Sequence, residues 1–98
     1  MLVKVHKTED GRLLTAVCDT RLINKIYEEG IKQLDLTGDF YKGEEKTPSE
    51  AADFMRNSDM INIVGEESVK VAMKEELISS AQVKIIAGIP YAQNAVND

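Results

Sequence analysis

Apolar and polar positions alternate over residues 2–7 (LVKVHK). Val3 and Val5 fall on one side and Lys4 and His6 on the other, the period-two pattern of a half-buried strand. Asp10-Gly11 follows as a hairpin-turn dipeptide, and residues 12–18 (RLLTAVC) are apolar enough to pair back as a second strand. Leu22, Ile23, Ile26 and Tyr27 then fall on one stripe of a helix, with Asp19 or Thr20 as its N-cap and Gly30 as a left-handed stop. Residues 31–36 (IKQLDL) predict a strand in which Leu34 and Leu36 alternate with Asp35. Residues 37–46 read as a loop punctuated by Gly38 and Gly43. Thr47-Pro48-Ser49-Glu50 predicts a helix start: Thr47 fits the N-cap, Pro48 the first turn, and Glu50 completes a capping box. Ala51, Ala52, Phe54 and Met55 supply that helix's buried face. Residues 60–64 (MINIV) predict a strand ending at Gly65. Residues 66–78 predict a helix with Val69, Ala72, Met73 and Leu77 on one side and Glu66 and Glu67 at the positive end of its dipole. Residues 82–87 (QVKIIA) predict a last strand, followed by an irregular segment over 88–93 and a frayed tail from Asn94 to Asp98.

The order is β-β-α-β-α-β-α-β in 98 residues, too few for a second domain. It implies a single α+β or α/β domain with a mixed sheet, an N-terminal hairpin and about three helices. Two βαβ units are expected, one joining strands 12–18 and 31–36, the other joining 60–64 and 82–87.

Composition changes this picture little: 43% hydrophobic and 30% charged residues make an ordinary globular balance. Charge changes it more. The formal net charge is −5, which argues against broad phosphate binding. The first 49 residues carry eight Lys and Arg against nine Asp and Glu, and the remainder four against eight. Lys4, Lys7, Arg12, Arg21 and Lys25 therefore form either a local basic face or a plain solvated one. One cysteine and one histidine exclude an internal disulfide and speak against a structural metal site. No apolar run approaches the length of a membrane span, and MLVKVHKTEDG lacks a signal-peptide core. The expectation is a cytoplasmic, soluble protein without cofactor or metal; the pattern leaves the oligomeric state open.

In open α/β sheets, ligands gather outside the carboxyl ends of parallel strands. Those ends carry Cys18-Asp19, Gly65 and the segment from Gly88 to Gln93, and the loop with Phe40, Tyr41 and Gly43 can join them. Cys18, Tyr41, Gly65 and Tyr91 are thus expected to share one cleft. Cys18, at a strand end before a helix, is a weak nucleophile candidate, because a helix N-terminus favours a thiolate while Asp19 opposes it. A lone cysteine is also an ordinary small core residue. His6 is the matching acid–base candidate if it reaches Cys18, and otherwise a packing residue. Asn62-Ile63-Val64-Gly65 before a helix resembles the entry to a phosphate turn, although a tight connection also needs its glycine and Glu66 and Glu67 repel phosphate. Pro90 fits a cis bond or a rigid turn. Tyr91 and Gln93 offer a ring and an amide for recognition, or else cover a sheet edge.

Several motifs in order, VKVH at 3–6, Gly11, AVCD at 16–19, Glu29-Gly30, FYKGE at 40–44, NIVGE at 62–66 and GIPYAQ at 88–93, run over nearly the whole chain. By these the chain resembles a family of small archaeal proteins, domain of unknown function 424. In that family the last motif often has histidine where this chain has Tyr91. The resemblance implies an archaeal, cytoplasmic origin and brings no activity with it. The leading expectation is a non-catalytic binding module for a protein or ribonucleoprotein. The alternatives are a thiol-dependent or small-molecule enzyme at the Cys18 edge, and an RNA-binding domain using the basic hairpin and loop aromatics.

Overall fold

The computed structural model describes residues 1–97. The first hairpin forms as its pattern predicts: β1 (Leu2–Lys7) pairs antiparallel with β2 (Leu13–Cys18), and Gly11 takes φ +85° in the turn. The helix expected next is absent. Thr20–Leu22 makes only a 3₁₀ turn, and the chain then folds as a second hairpin, β3 (Ile26–Glu29) against β4 (Lys32–Asp35). Two causes are visible. The Asp19 carboxylate is used elsewhere and makes no cap to its own turn, and Asn24 at φ +67° breaks the helical path. Asn24 and Lys25 instead exchange main-chain bonds with Leu36, extending the hairpin. Gly30 does take positive φ (+62°), in a two-residue turn with Ile31 rather than at a helix end.

Two-residue β5 (Glu44–Glu45) lies on the outer side of β1. Helix α1 (Pro48–Arg56) starts as expected: Glu50 N–H donates to Thr47 Oγ1 at 3.1 Å and Thr47 N–H to Glu50 Oε1 at 2.9 Å. Ala51, Ala52 and Met55 are buried, but Phe54 stays largely exposed. Strand β6 (Met60–Val64) runs parallel to β2. Helix α2 (Glu66–Lys74) ends four residues earlier than the pattern predicts. Glu76 takes φ +58°, Glu76 N–H donates to Met73 O and Leu77 N–H to Ala72 O, a left-handed closure made without glycine. A 3₁₀ turn at Ser80–Gln82 leads to β7 (Lys84–Ile86).

Residues 88–93 are not irregular. All but Gly88 belong to β8 (Ile89–Ala95), which enters the sheet between β6 and β7 and is antiparallel to both. Ala87 and Gly88, both at positive φ, turn the chain back. The tail is tied as well, since Val96 N–H donates to Asp59 O at 2.8 Å; of the expected frayed residues only Asp98 lies outside the described ones. Pro90 is trans.

The described residues form one α+β domain with two α-helices, not three. It has a six-stranded mixed sheet in the order β5-β1-β2-β6-β8-β7 and a separate two-stranded hairpin. Neither expected βαβ unit forms as drawn. The parallel neighbour of β2 is β6, and β7 runs parallel to β6 only across the intervening β8. Both helices cover one face, over Val3, Val17, Ile61, Ile63 and Ala92. On the other face the hairpin and the loop after it cover one end, packing Leu22, Leu34, Leu36 and Tyr41 on Cys18, Val64 and Ile89. Beyond that cover the second face opens toward Gln93 and Ala95, which are exposed, with Asn62 half-buried beside them. Among the described residues no helix is long and apolar enough to cross a membrane.

Candidate functional site

Strand register sets the floor of the site. Ala16 stands beside Asn62 and Asn62 opposite Gln93, so the two amides are neighbours on adjacent central strands and face the second side. One step along, Val64 stands opposite Tyr91 and Tyr91 opposite Lys84. A hollow of about 380 Å³ opens over these rows, walled by Leu34 and Tyr41 of the covering layer and by Gln82 and Lys84. A second hollow of about 290 Å³, bordered by Leu14, Met60 and Ala95, shares Asn62 and Gln93 with the first. The two meet at the amide pair and form one trough. Among the described residues neither amide side chain makes a hydrogen bond, whereas Gln82 Nε2 is already committed to Asn94 Oδ1 at 2.8 Å.

The sequence-predicted residues divide into groups. Tyr41, Asn62, Tyr91 and Gln93 come together in the trough. Cys18 lies in the apolar layer under Tyr41 and Tyr91, fully buried, and its thiol donates to Asp19 O at 3.3 Å. Burial first, and the Asp19 charge second, push the thiol's pKa up to about 12. At neutral pH it is a protonated core residue. Burial likewise raises the Tyr41 phenol above its ordinary value.

His6 does not reach Cys18: it stands opposite Leu14, while Cys18 stands opposite Leu2. Its ring stacks on Phe40 with centroids 4.6 Å apart, and Nε2–H donates to Phe40 O at 2.9 Å. Lys4 Nζ donates to Asp39 O at 2.9 Å. Together they moor the loop that carries Tyr41 over the sheet. Gly43 is structural: a Cβ there would meet Val3 O at 1.9 Å. Pro90 contributes its carbonyl to Gly65 N–H at 2.8 Å.

The carboxyl ends of β2, β6 and β7 do reach one rim, but the rim is filled from within. Asp19 Oδ1 accepts from Ser68 N–H at 2.8 Å and from Ser68 Oγ at 2.7 Å, and Oδ2 accepts from Glu67 N–H at 3.0 Å. The anion position at the start of α2 is therefore held by the chain's own carboxylate, reaching across from β2. Gly65, at φ +111°, permits this, since a Cβ would come within 2.2 Å of Asp19 Cγ. At β7 the rim is closed by the hairpin, whose Glu29 Oε1 accepts from Ala87 N–H at 2.9 Å. The opening thus lies on the sheet face and not beyond the strand ends.

Gln82, Lys84 and Leu34 are lining residues that sequence reasoning missed. One signal was present: Ser79-x-x-Gln82 has capping-box spacing, and Ser79 N–H does donate to Gln82 Oε1 at 2.9 Å. Among the described residues no three His, Cys, Asp or Glu side chains gather as metal ligands would.

A family model described as "Protein of unknown function (DUF424)" matches residues 6–96. The chain belongs to this family. Among solved structures, the DUF424 chain is similar to an uncharacterized conserved protein from Methanopyrus kandleri, with a TM-score of 0.82 and 24% identity over 98% of this chain and 90% of that one. That likeness extends to the fold alone. No curated protein matches it.

Proposed function

We propose that this DUF424 protein is a non-catalytic binding module of the archaeal cytoplasm that takes a protein or ribonucleoprotein partner in the trough around Asn62 and Gln93. The observation that carries the reading is the amide pair. Asparagine is disfavoured inside strands, yet Asn62 occupies the middle of a central one, and among the described residues neither its side chain nor that of Gln93 makes a hydrogen bond. Four donor and acceptor groups are thereby offered on a rigid floor between Tyr41 and Tyr91, the mixture of fixed polar groups and ring surface that recognition sites use. Chemistry is poorly supplied there by comparison, because Cys18 is buried and protonated and Asp19 is spent on α2.

The test is retention of a discrete partner from native extract on the immobilised chain, with and without ribonuclease. Loss of that partner with Asn62→Ala/Gln93→Ala, at unchanged melting temperature, is expected. Equal retention by both chains refutes the trough as the binding surface. Ribonuclease sensitivity separates a ribonucleoprotein from a protein partner.

A further inference from the structure

We propose that the outer edge of β1 is a second docking site, which accepts an extended, acidic segment of another protein as an added strand beside Val5 and Lys7. The argument begins with register. Thr8 N–H donates to Arg12 O, so the even-numbered residues of β1 turn their main-chain groups toward β2. Lys46 N–H donates to Met1 O and Val3 stands opposite Glu44, so the odd-numbered residues turn theirs outward. β5 stops at Val3. Beyond it the chain from Asp39 to Lys42 swings to the second face, drawn there by the bonds from Lys4 and His6. The N–H and C=O groups of Val5 and Lys7 are left without a main-chain partner among the described residues.

Two further features say what would sit there. Val5 (42% exposed) and Phe54 (39%) make an apolar floor, and a hollow of about 470 Å³ runs along the edge over them. The charged groups bordering this edge are Lys4, Lys7, Lys42 and Lys46 against Glu44 and Asp53. Both acids are already paired, Glu44 with Lys46 at 3.3 Å and Asp53 with Arg56, and Lys4 is bonded to Asp39 O, which leaves the Lys7 and Lys42 ammonium groups without a partner among the described residues. In a chain of net charge −5 this is a local excess of positive charge. A second copy of the chain is disfavoured, because two-fold pairing along this edge would bring two like-charged lysine-bordered surfaces into one interface. An acidic strand answers all three features: its main chain bonds Val5 and Lys7, an apolar side chain covers Val5 and Phe54, and its carboxylates meet the lysines. The free main-chain edge favours a peptide over RNA, which has no ladder of alternating donors and acceptors to match it.

The test uses the full ¹⁵N-labelled chain and a synthetic peptide alternating glutamate with valine, about seven residues long, the span of an ordinary strand. The peptide should shift and protect the amides of Val5 and Lys7 and leave Asn62 and Gln93 unmoved. Its lysine–valine counterpart should not bind. Val5→Pro removes an edge N–H and should weaken binding about tenfold. Phe54→Ser, on an exposed helix position, should weaken it as well and keeps the test open if the proline variant fails to fold. Equal binding of the two peptides overturns the proposal. So does no binding of either, shifts confined to the trough, or tighter binding of oligouridylate at the same residues. Because the trough residues report separately, failure here leaves the preceding reading standing, and the reverse also holds.

Discussion

Replacing Asp19 with alanine should be among the most destabilising single changes in the molecule. The side chain is only 3% exposed and accepts three hydrogen bonds from the first turn of α2. Loss of an ordinary N-cap costs about 0.5–2 kcal/mol because water can replace the lost acceptor. Here replacement is incomplete: Ser68 is fully buried, so its N–H and hydroxyl are left unpaired in a dry place, at about 1–3 kcal/mol each. Glu67 N–H lies at the exposed start of the helix and recovers a water. Relief from burying the carboxylate offsets part of the loss. The net expectation is about 3 kcal/mol, or roughly 12–24 °C in Tm for a domain of this size. Urea unfolding followed by circular dichroism measures it, with an unchanged m-value to show that the unfolded state is unaltered. Ser68→Ala in the Asp19→Ala background isolates the pair, with a coupling of about 1 kcal/mol or more expected between them. A loss of less than about 1 kcal/mol, together with additive single and double variants, would refute the view that this carboxylate clips β2 to α2.

Three other outcomes follow from the same geometry. Cys18, buried and with its pKa near 12, should resist iodoacetamide at pH 8 in the native protein and react once urea unfolds it; fast native labelling would show an accessible thiolate. Gly43→Ala should destabilise by about 1–3 kcal/mol and release the β1–β5 pairing, seen as faster amide exchange at Val3, because the new methyl meets Val3 O. Thr47 N–H, donating to Glu50, holds that carboxyl below its ordinary value. Its contribution is therefore complete above the unfolded carboxylate range and lost as pH falls through the lower folded value. Glu50→Ala should flatten that part of the acid limb of the stability–pH curve, and an unchanged limb would remove the carboxylate from the cap.

Local signals were read correctly where one turn of chain contains both partners. The Asp10-Gly11 hairpin and the Thr47–Glu50 capping box depend on groups a few residues apart, so their chemistry is written in adjacent letters. Residues 19–30 failed for the opposite reason. Leu22, Ile23, Ile26 and Tyr27 suit a helical stripe or a hairpin equally, and the decision came from distant groups, α2 taking the Asp19 carboxylate and Leu36 bonding Asn24. The end of α2 was missed because Glu76, not glycine, takes the left-handed position.

By itself, then, the chain determined a single domain, its two true helix starts, its first hairpin and the strand that carries Asn62. It also supplied four of the trough's lining residues, Tyr41, Asn62, Tyr91 and Gln93. Only the tertiary structure decided that β8 enters beside β6 and so brings Gln93 next to Asn62, that Asp19 fills the rim where a ligand was expected, and that the opening lies on the sheet face. Those outcomes depend on pairing between segments far apart in sequence. Such pairing is selected by the whole sheet's burial and hydrogen bonding, which no short window of residues contains.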